Sequence, residues 1–257
     1  MRAILILSLT MIFFRSELFA GGHSSTLQDV KARGKLRCVV TTGLPGFAAP
    51  DANGVWRGFD WDFCRATAAA VLGDANAVDP ITSTGKTRFT KLNAGEGDVL
   101  WRNTTITFSR DVSVKLRFLG VNYYDGQGFM VNKSLGVSSA KELDGASVCI
   151  QTGTTTELNL ADYFSSNNMR YEAVTIETND EARQNYEAGR CDIYTTDASG
   201  LASTRSSLPN PNDHMVLPEI ISKEPLGPAV RQGDDAWADL ITWMVPNRIN
   251  YRAFRYA

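Results

Sequence analysis

Residues 102–110 read Arg-Asn-Thr-Thr-Ile-Thr-Phe-Ser-Arg, so two guanidiniums bracket a run rich in hydroxyls and β-branched side chains. Arg110 offers a planar fork of N–H donors that matches a carboxylate. Thr105 adds a hydroxyl and a backbone N–H. The stretch follows "GDVL", a short strand that empties into a polar loop. Asp111 comes directly after Arg110, and taken alone a surface ion pair explains the arginine equally well.

Two other stretches bear on that choice. In "VCIQTGTTTELNLADYF" a strand ends at Gln151, Gly153 permits a tight turn, and Thr154-x-x-Glu157 has the form of a capping box. A helix is therefore expected from Thr155, with the N–H groups of Thr155 and Thr156 unpaired and the positive end of the helix dipole behind them. Such a start binds anions, although it is also what any capped helix looks like. In "CDIYTTDASGL" a strand ends in Asp197. That carboxylate either caps the following helix or receives a cation at the carboxyl end of a sheet, where open α/β folds hold ligands. Together the three stretches supply donors for a carboxylate from two places and an acceptor for an ammonium. A zwitterion needs that set, because each of its charged ends must be paired when buried.

Alternating elements must hold these residues. "KLRCVV" (35–40) reads as a strand, and residues 59–73 as a helix with Phe59, Phe63, Ala66 and Ala70 on one face and Gly73 as its stop. "RFTKLNAGEGDVL" gives a helix, a Gly break and a strand at 98–100, and 115–124 is extended. A second set follows: strands at 128–132 and 146–151, a helix from 154, a strand at 171–176, a helix at 180–190, a strand at 191–196, extended chain at 215–221 and a helix at 234–245. Strands alternating with helices predict an α/β class with parallel sheets. The restart near residue 128 predicts two lobes.

Composition narrows the class. Hydrophobic residues make up 43% and charged residues 21% of 257, as in ordinary globular chains. No basic stripe is present, which argues against nucleic acid as a partner. Residues 1–22 combine Arg2, an apolar run over 3–14 and small residues at Ala20–Gly22, the form of a secretory signal and too short a run to span a bilayer. Without residues 1–20, which hold Arg2, Arg15 and Glu17, the net charge moves from −2 to −3. Cys38, Cys64, Cys149 and Cys191 sit singly, and the only histidines are His23 and His214, which argues against a zinc site. In an exported chain an even cysteine count points to disulfides. The spacing does not choose among the three pairings, or between bridges and four buried thiols.

The motifs "GKLRCVVTTGLPGF", "GFDWDFCRA", "RNTTITFSRD", "GVNYYDGQGFMV", "GASVCIQTGTTTELNLADYF", "AGRCDIYTTDASGL" and "LPEIISKEPLGPAV" follow one another over residues 26–243. In that order they resemble the periplasmic family 3 solute-binding subunits of polar amino acid ABC transporters, most closely the general L-amino-acid type. The resemblance implies a two-lobe α/β fold with two crossover hinges. It places lobe 1 at 27–123 plus 227–257, lobe 2 at 128–221, and the crossovers at 122–128 and 222–227. It implies a monomer without cofactor or metal that binds a free L-amino acid in the periplasm and delivers it to the permease subunits. By position, Arg110 is implied as the carboxylate clamp, with Thr105 supporting it. Thr155 would donate from the second lobe, Asn103 would accept from the ammonium through its carbonyl, and Asp197 would accept it through its carboxylate. Thr41, Leu44, Arg102, Gln151 and Thr196 would line the side-chain pocket. Cys38–Cys64 and Cys149–Cys191 would be bridges within lobes, leaving the hinge free.

Three departures from the family pattern matter. Gly85 stands where an aromatic residue often stacks on the ligand. Trp101 replaces a small residue next to the site and is expected to narrow the cleft. The general type continues well past Trp243, whereas here "PNRINYRAFRYA" ends the chain, which therefore looks truncated. An enzyme on the same fold, such as a dehydratase of small carboxylates, is the main rival. General acid–base work draws mostly on His, Glu or Lys, and the cleft loops offer only Asp197, so no enzyme is expected.

Overall fold

Five of the six residues in the strand Leu36–Thr41 are buried although successive side chains point to opposite faces, so both faces of its sheet must be covered. In the computed structural model, which describes residues 25–245, helices cover both. The stretch 1–22, read above as a secretory signal, and the terminal "PNRINYRAFRYA" lie outside the described residues.

The first half of the chain runs α1 (Thr26–Arg33), β1 (Leu36–Thr41), the short hairpin β2 (Ala49–Pro50) and β3 (Trp56–Arg57), α2 (Phe59–Leu72), β4 (Val78–Ser83), α3 (Arg88–Asn93), β5 (Val99–Leu100), α4 (Phe108–Ser113) and β6 (Leu116–Phe118). The strand β7 (Tyr123–Asp125) crosses to a second unit: β8 (Gln127–Asn132), β9 (Ser147–Gln151), α5 (Thr155–Ser166), β10 (Glu172–Ile176), α6 (Asn179–Glu187), β11 (Ile193–Asp197), α7 (Ala198–Ser206) and β12 (His214–Val216). The chain then returns through β13 (Glu224–Leu226) to β14 (Ala229–Arg231) and α8 (Asp235–Met244). The two crossing strands pair antiparallel, with Glu224 opposite Asp125. The result is a two-lobe fold with two crossover segments.

Each lobe is a five-stranded sheet, β4-β1-β5-β14-β6 and β10-β9-β11-β8-β12. On one face of the first sheet Leu36, Cys38 and Val40 meet Trp61, Cys64, Trp101, Trp237 and Ile241. On the other, Val39 meets Leu92, Leu100 and Leu116. The second sheet is likewise packed on both faces, around Phe129, Ile150 and Phe164 and around Met130, Tyr194 and Tyr186. Cys38 bridges to Cys64 and Cys149 to Cys191, each within one lobe. Closing loops of 26 and 42 residues, such bridges contribute about 3.5–4 kcal/mol each by restricting the unfolded chain.

The sheets are mixed, not purely parallel as the alternation predicts. β14 runs antiparallel to β5 and β6, and β8 antiparallel to β11 and β12. Both reversed strands follow a crossover. They enter their sheet at the cleft, where β5 and β11 end, so they must run away from it. Several elements have no sequence reading above: α1, the short strands β2, β3, β13 and β14, and also β4, α4 and α7. β4 contains Pro80, which a strand tolerates here because β4 is an edge of the sheet. α4 hides in the polar loop 102–110: Thr107 caps it by accepting from the Arg110 N–H, and Phe108 and Val112 on its surface are exposed, so no apolar period marks it. α7 begins directly at the end of β11 and carries Gly200.

Candidate functional site

Local chemistry builds each wall of the cleft. β1, β4, β5, β9 and β11 all end toward it, which brings Thr41, Ser83, Arg102, Gln151 and Asp197 together from residues far apart in sequence. On the second lobe Gly153, at φ +71°, makes the turn after β9. Thr154 then caps α5 by accepting from the Glu157 N–H at 3.3 Å. Glu157 returns its bond to the Gly153 N–H (3.1 Å) and not to Thr154. The N–H groups of Thr155 and Thr156 meet no acceptor among the described residues, so this helix start is available to an anion.

Between the lobes lies a small cavity of about 20 Å³. Its wall consists of Arg88, Arg102, Asn103 and Thr105 from the first lobe and Gln151, Thr154, Thr155, Thr156, Thr196 and Asp197 from the second. Seven residues picked from sequence are therefore neighbours: Arg102, Asn103, Thr105, Gln151, Thr155, Thr196 and Asp197. Three are not in this wall. Arg110 stands behind it, donating from Nη1 to the Thr105 carbonyl at 2.9 Å. Its guanidinium lies 5.3 Å from the Phe89 ring centroid. Leu44 packs with Phe47 and Leu226 in a separate apolar cluster. Thr41 is fully buried and accepts from Asn179 Nδ2 at 3.1 Å, a contact that joins the lobes at the mouth of the cleft.

Arg88 is the wall residue that the sequence reading lacks. It opens α3, is 2% exposed, and reaches across the site. Nη1 donates to Thr104 Oγ1 (3.1 Å) and the Asn103 carbonyl (3.4 Å), and Nη2 to the Gly153 carbonyl of the other lobe (3.5 Å). In the sequence it sits in "GKTRFTKL", where an arginine at a helix start looks solvent-facing. Asp60 is also new: at the start of α2 and 2% exposed, it accepts from the Asn103 N–H at 2.8 Å.

Three guanidiniums, those of Arg88, Arg102 and Arg110, are thus buried together. Among the described residues none of them forms an ion pair. Burial pushes Arg88 well below the ordinary arginine range, and the positive charges of Arg102 and Arg110 add to this, against Asp197 and Glu224. Arg102 is pushed down to about 10, chiefly by burial. Arginine holds its proton nevertheless, so the cost appears as affinity for an anion. The acids are displaced the other way. Asp60 is pushed up to about 6 by burial, opposed by the Asn103 N–H and Arg102. Asp197 is pushed up to about 7 by burial and by the charges of Asp125 and Glu224, with Arg88 and Arg102 opposing. Asp197 makes no side-chain capping bond to α7, which leaves its carboxyl to the cleft. Asn103 Oδ1 is a second buried acceptor with no partner among the described residues.

Two departures in the sequence acquire a physical meaning. Trp101 does not narrow the cleft. It points into the core of the first lobe and stacks on Phe63, centroids 4.4 Å apart, because alternation along the chain sends it opposite to Arg102. At Gly85 the space for a side chain is taken by the other lobe. A Cβ there would lie 2.9 Å from the Thr152 carbonyl and 2.9 Å from Thr154 Cγ2.

Residues 36–247 match the model of the bacterial extracellular solute-binding proteins, family 3. The chain is 65% identical to the glutamate/glutamine/aspartate/asparagine-binding protein BztA of Rhodobacter capsulatus, over 88% of this chain and 67% of that protein. It is 58% identical to the general L-amino acid-binding periplasmic protein AapJ of Rhizobium johnstonii, over 91% and 69%. Among solved structures, a periplasmic binding protein from Brucella ovis with glutathione bound superposes with a TM-score of 0.86 at 54% identity, covering 91% of this chain and 73% of that one. The chain thus spans about two thirds of the length of these curated relatives.

Proposed function

The chain belongs to the bacterial extracellular solute-binding proteins of family 3, and from that premise we propose that it captures free L-amino acids in the periplasm and delivers them to an ABC-transporter permease. The hinge of this reading lies at residues 122–128 and 222–227. The observation that carries it is a cluster of three buried guanidiniums with no ion pair among the described residues, Arg88 and Arg102 in the wall shared with Asp197 and Arg110 behind it. The α-carboxylate takes the guanidinium side, through Arg110 and the N–H groups of Thr105 and Thr155. The ammonium goes to Asp197 and the unpaired Asn103 Oδ1. With one guanidinium on the α-carboxylate, the others remain for a second oxygen group. That favours glutamate, aspartate and their amides, the ligands in the name of the Rhodobacter relative.

A bond to a charged group contributes about 1.5–3 kcal/mol, and micromolar affinity requires about 8 kcal/mol net. Two or three such bonds at each end of the zwitterion reach that after ordering costs. The cavity of about 20 Å³ has room for about one water. A ligand therefore enters between parted lobes and is enclosed as they close. No catalytic step belongs to this reading, in which the cleft groups bind and release. Isothermal titration calorimetry of the purified protein against glutamate, glutamine, aspartate, asparagine, leucine and lysine tests it. Micromolar binding of the first four, weaker for the last two, is expected. A folded protein that binds none of them at millimolar concentration refutes it.

A further inference from the structure

Glu224 lies in the returning crossover strand β13, 2% exposed, and its carboxylate accepts four hydrogen bonds. Oε2 accepts from the hydroxyls of Thr105 (2.5 Å) and Thr155 (2.9 Å), and Oε1 from Asn159 Nδ2 (2.7 Å) and Ser222 Oγ (2.6 Å). β13 is fastened to the first lobe, because the Ile106 N–H donates to the Pro225 carbonyl (2.8 Å) and the Gly227 N–H to the Thr104 carbonyl (3.0 Å). Thr155 and Asn159 instead ride on α5 of the second lobe. Two of the four bonds therefore span the cleft and break when the lobes part.

A hydroxyl has one hydrogen to give. With both threonine hydroxyls turned to Glu224, only the backbone N–H groups of Thr105 and Thr155 remain for a ligand carboxylate. Resting on the amino-acid reading above, we infer that Glu224 is a positioning residue. It is an internal carboxylate on the hinge that draws the first turn of α5 onto the first lobe and sets how much of the ligand-free protein is closed. Apparent affinity scales with the closed fraction, whatever the ligand. Removing Glu224 thus weakens every ligand by one common factor and leaves the order of preference unchanged, which a residue touching the ligand side chain does not do.

The test pairs Glu224→Ala with Asn159→Ala, whose side chain is outside the cavity wall. In the ligand-free proteins, the distance between nitroxide labels on the two lobes is measured by double electron–electron resonance. Calorimetry then compares glutamate, glutamine and aspartate. Glu224→Ala is expected to shift the distances longer and to weaken all three ligands by a similar factor, roughly tenfold. Asn159→Ala should move both readouts the same way by less. Unchanged distances in both variants, or tighter binding from relief of charge repulsion, overturn the inference. Should Glu224→Ala fail to fold, Asn159→Ala decides. The distance measurement needs no ligand, so it stands even if the ligand class is wrong.

Discussion

Replacing the Asp197 carboxyl with an amide (Asp197→Asn) should stabilise the ligand-free protein at neutral pH while destroying its capture of ammonium. The carboxyl rises from its ordinary value near 3.8 to about 7 in the fold. A displacement of that size is worth ~4 kcal/mol of penalty on the ionised form. The sign follows from linkage. The folded value lies above the unfolded one, so below about pH 4 the group is protonated in both states and costs nothing. Between pH 4 and 7 the unfolded chain ionises first, and stability falls. Above pH 7 the whole penalty is present. The neutral amide of the variant carries no such penalty. Denaturant unfolding of both ligand-free proteins at pH 4, 6 and 8 measures it. The stability difference, variant minus wild type, should grow by ~2–4 kcal/mol from pH 4 to 8. Asp60 titrates in both proteins and cancels. Parallel stability–pH curves would refute the placement of Asp197 as a buried carboxyl lacking a cation.

The same displacement makes ligand capture release protons. Near pH 6.5 an arriving ammonium ionises Asp197, so calorimetric heats in buffers of different ionisation enthalpy should show a fraction of a proton released, falling as pH rises past 7. Arg88→Met should weaken glutamate and aspartate by ~2–5 kcal/mol, through a buried carboxylate left unpaired, and leucine far less. Equal losses across ligands in titration calorimetry would remove Arg88 from side-chain recognition. Gly85→Ala should hold the lobes apart, because its Cβ meets the Thr152 carbonyl at 2.9 Å. Affinity should fall with little change in the thermal midpoint, and a larger radius of gyration in small-angle scattering with saturating ligand would report the incomplete closure.

Much of the fold is legible along the chain because its signals are local. The helix start at Thr155 follows from Thr154 capping a residue three positions on. The helix 59–72 stops at Gly73, in the left-handed conformation at φ +74°. Among the elements without a reading, three have an ambiguous local signal: β4 with its proline, α4 without an apolar face, and α7 with a glycine near its start, whereas α1 is marked by a Ser25–Gln28 capping box that is legible in the sequence alone. Strand direction is also out of reach, because it depends on where the hinge delivers the chain and not on the residues of β8 or β14.

For the site, residue type and order determine that a carboxylate can be met by Arg110, Thr105 and the start of α5, and an ammonium by Asp197. Those are properties of single loops at strand ends. Only the tertiary structure decides that Arg88 joins the wall, that Trp101 turns inward, that Gly85 makes way for the other lobe, and that Glu224 claims two of the hydroxyls. Each of these depends on a surface contributed by the second lobe or the core, over sequence separations of 38 to 119 residues where a bond or ring contact records it. Side-chain burial and hydrogen-bond choice are set by what arrives opposite, and the arrival is settled when the two sheets close on one another.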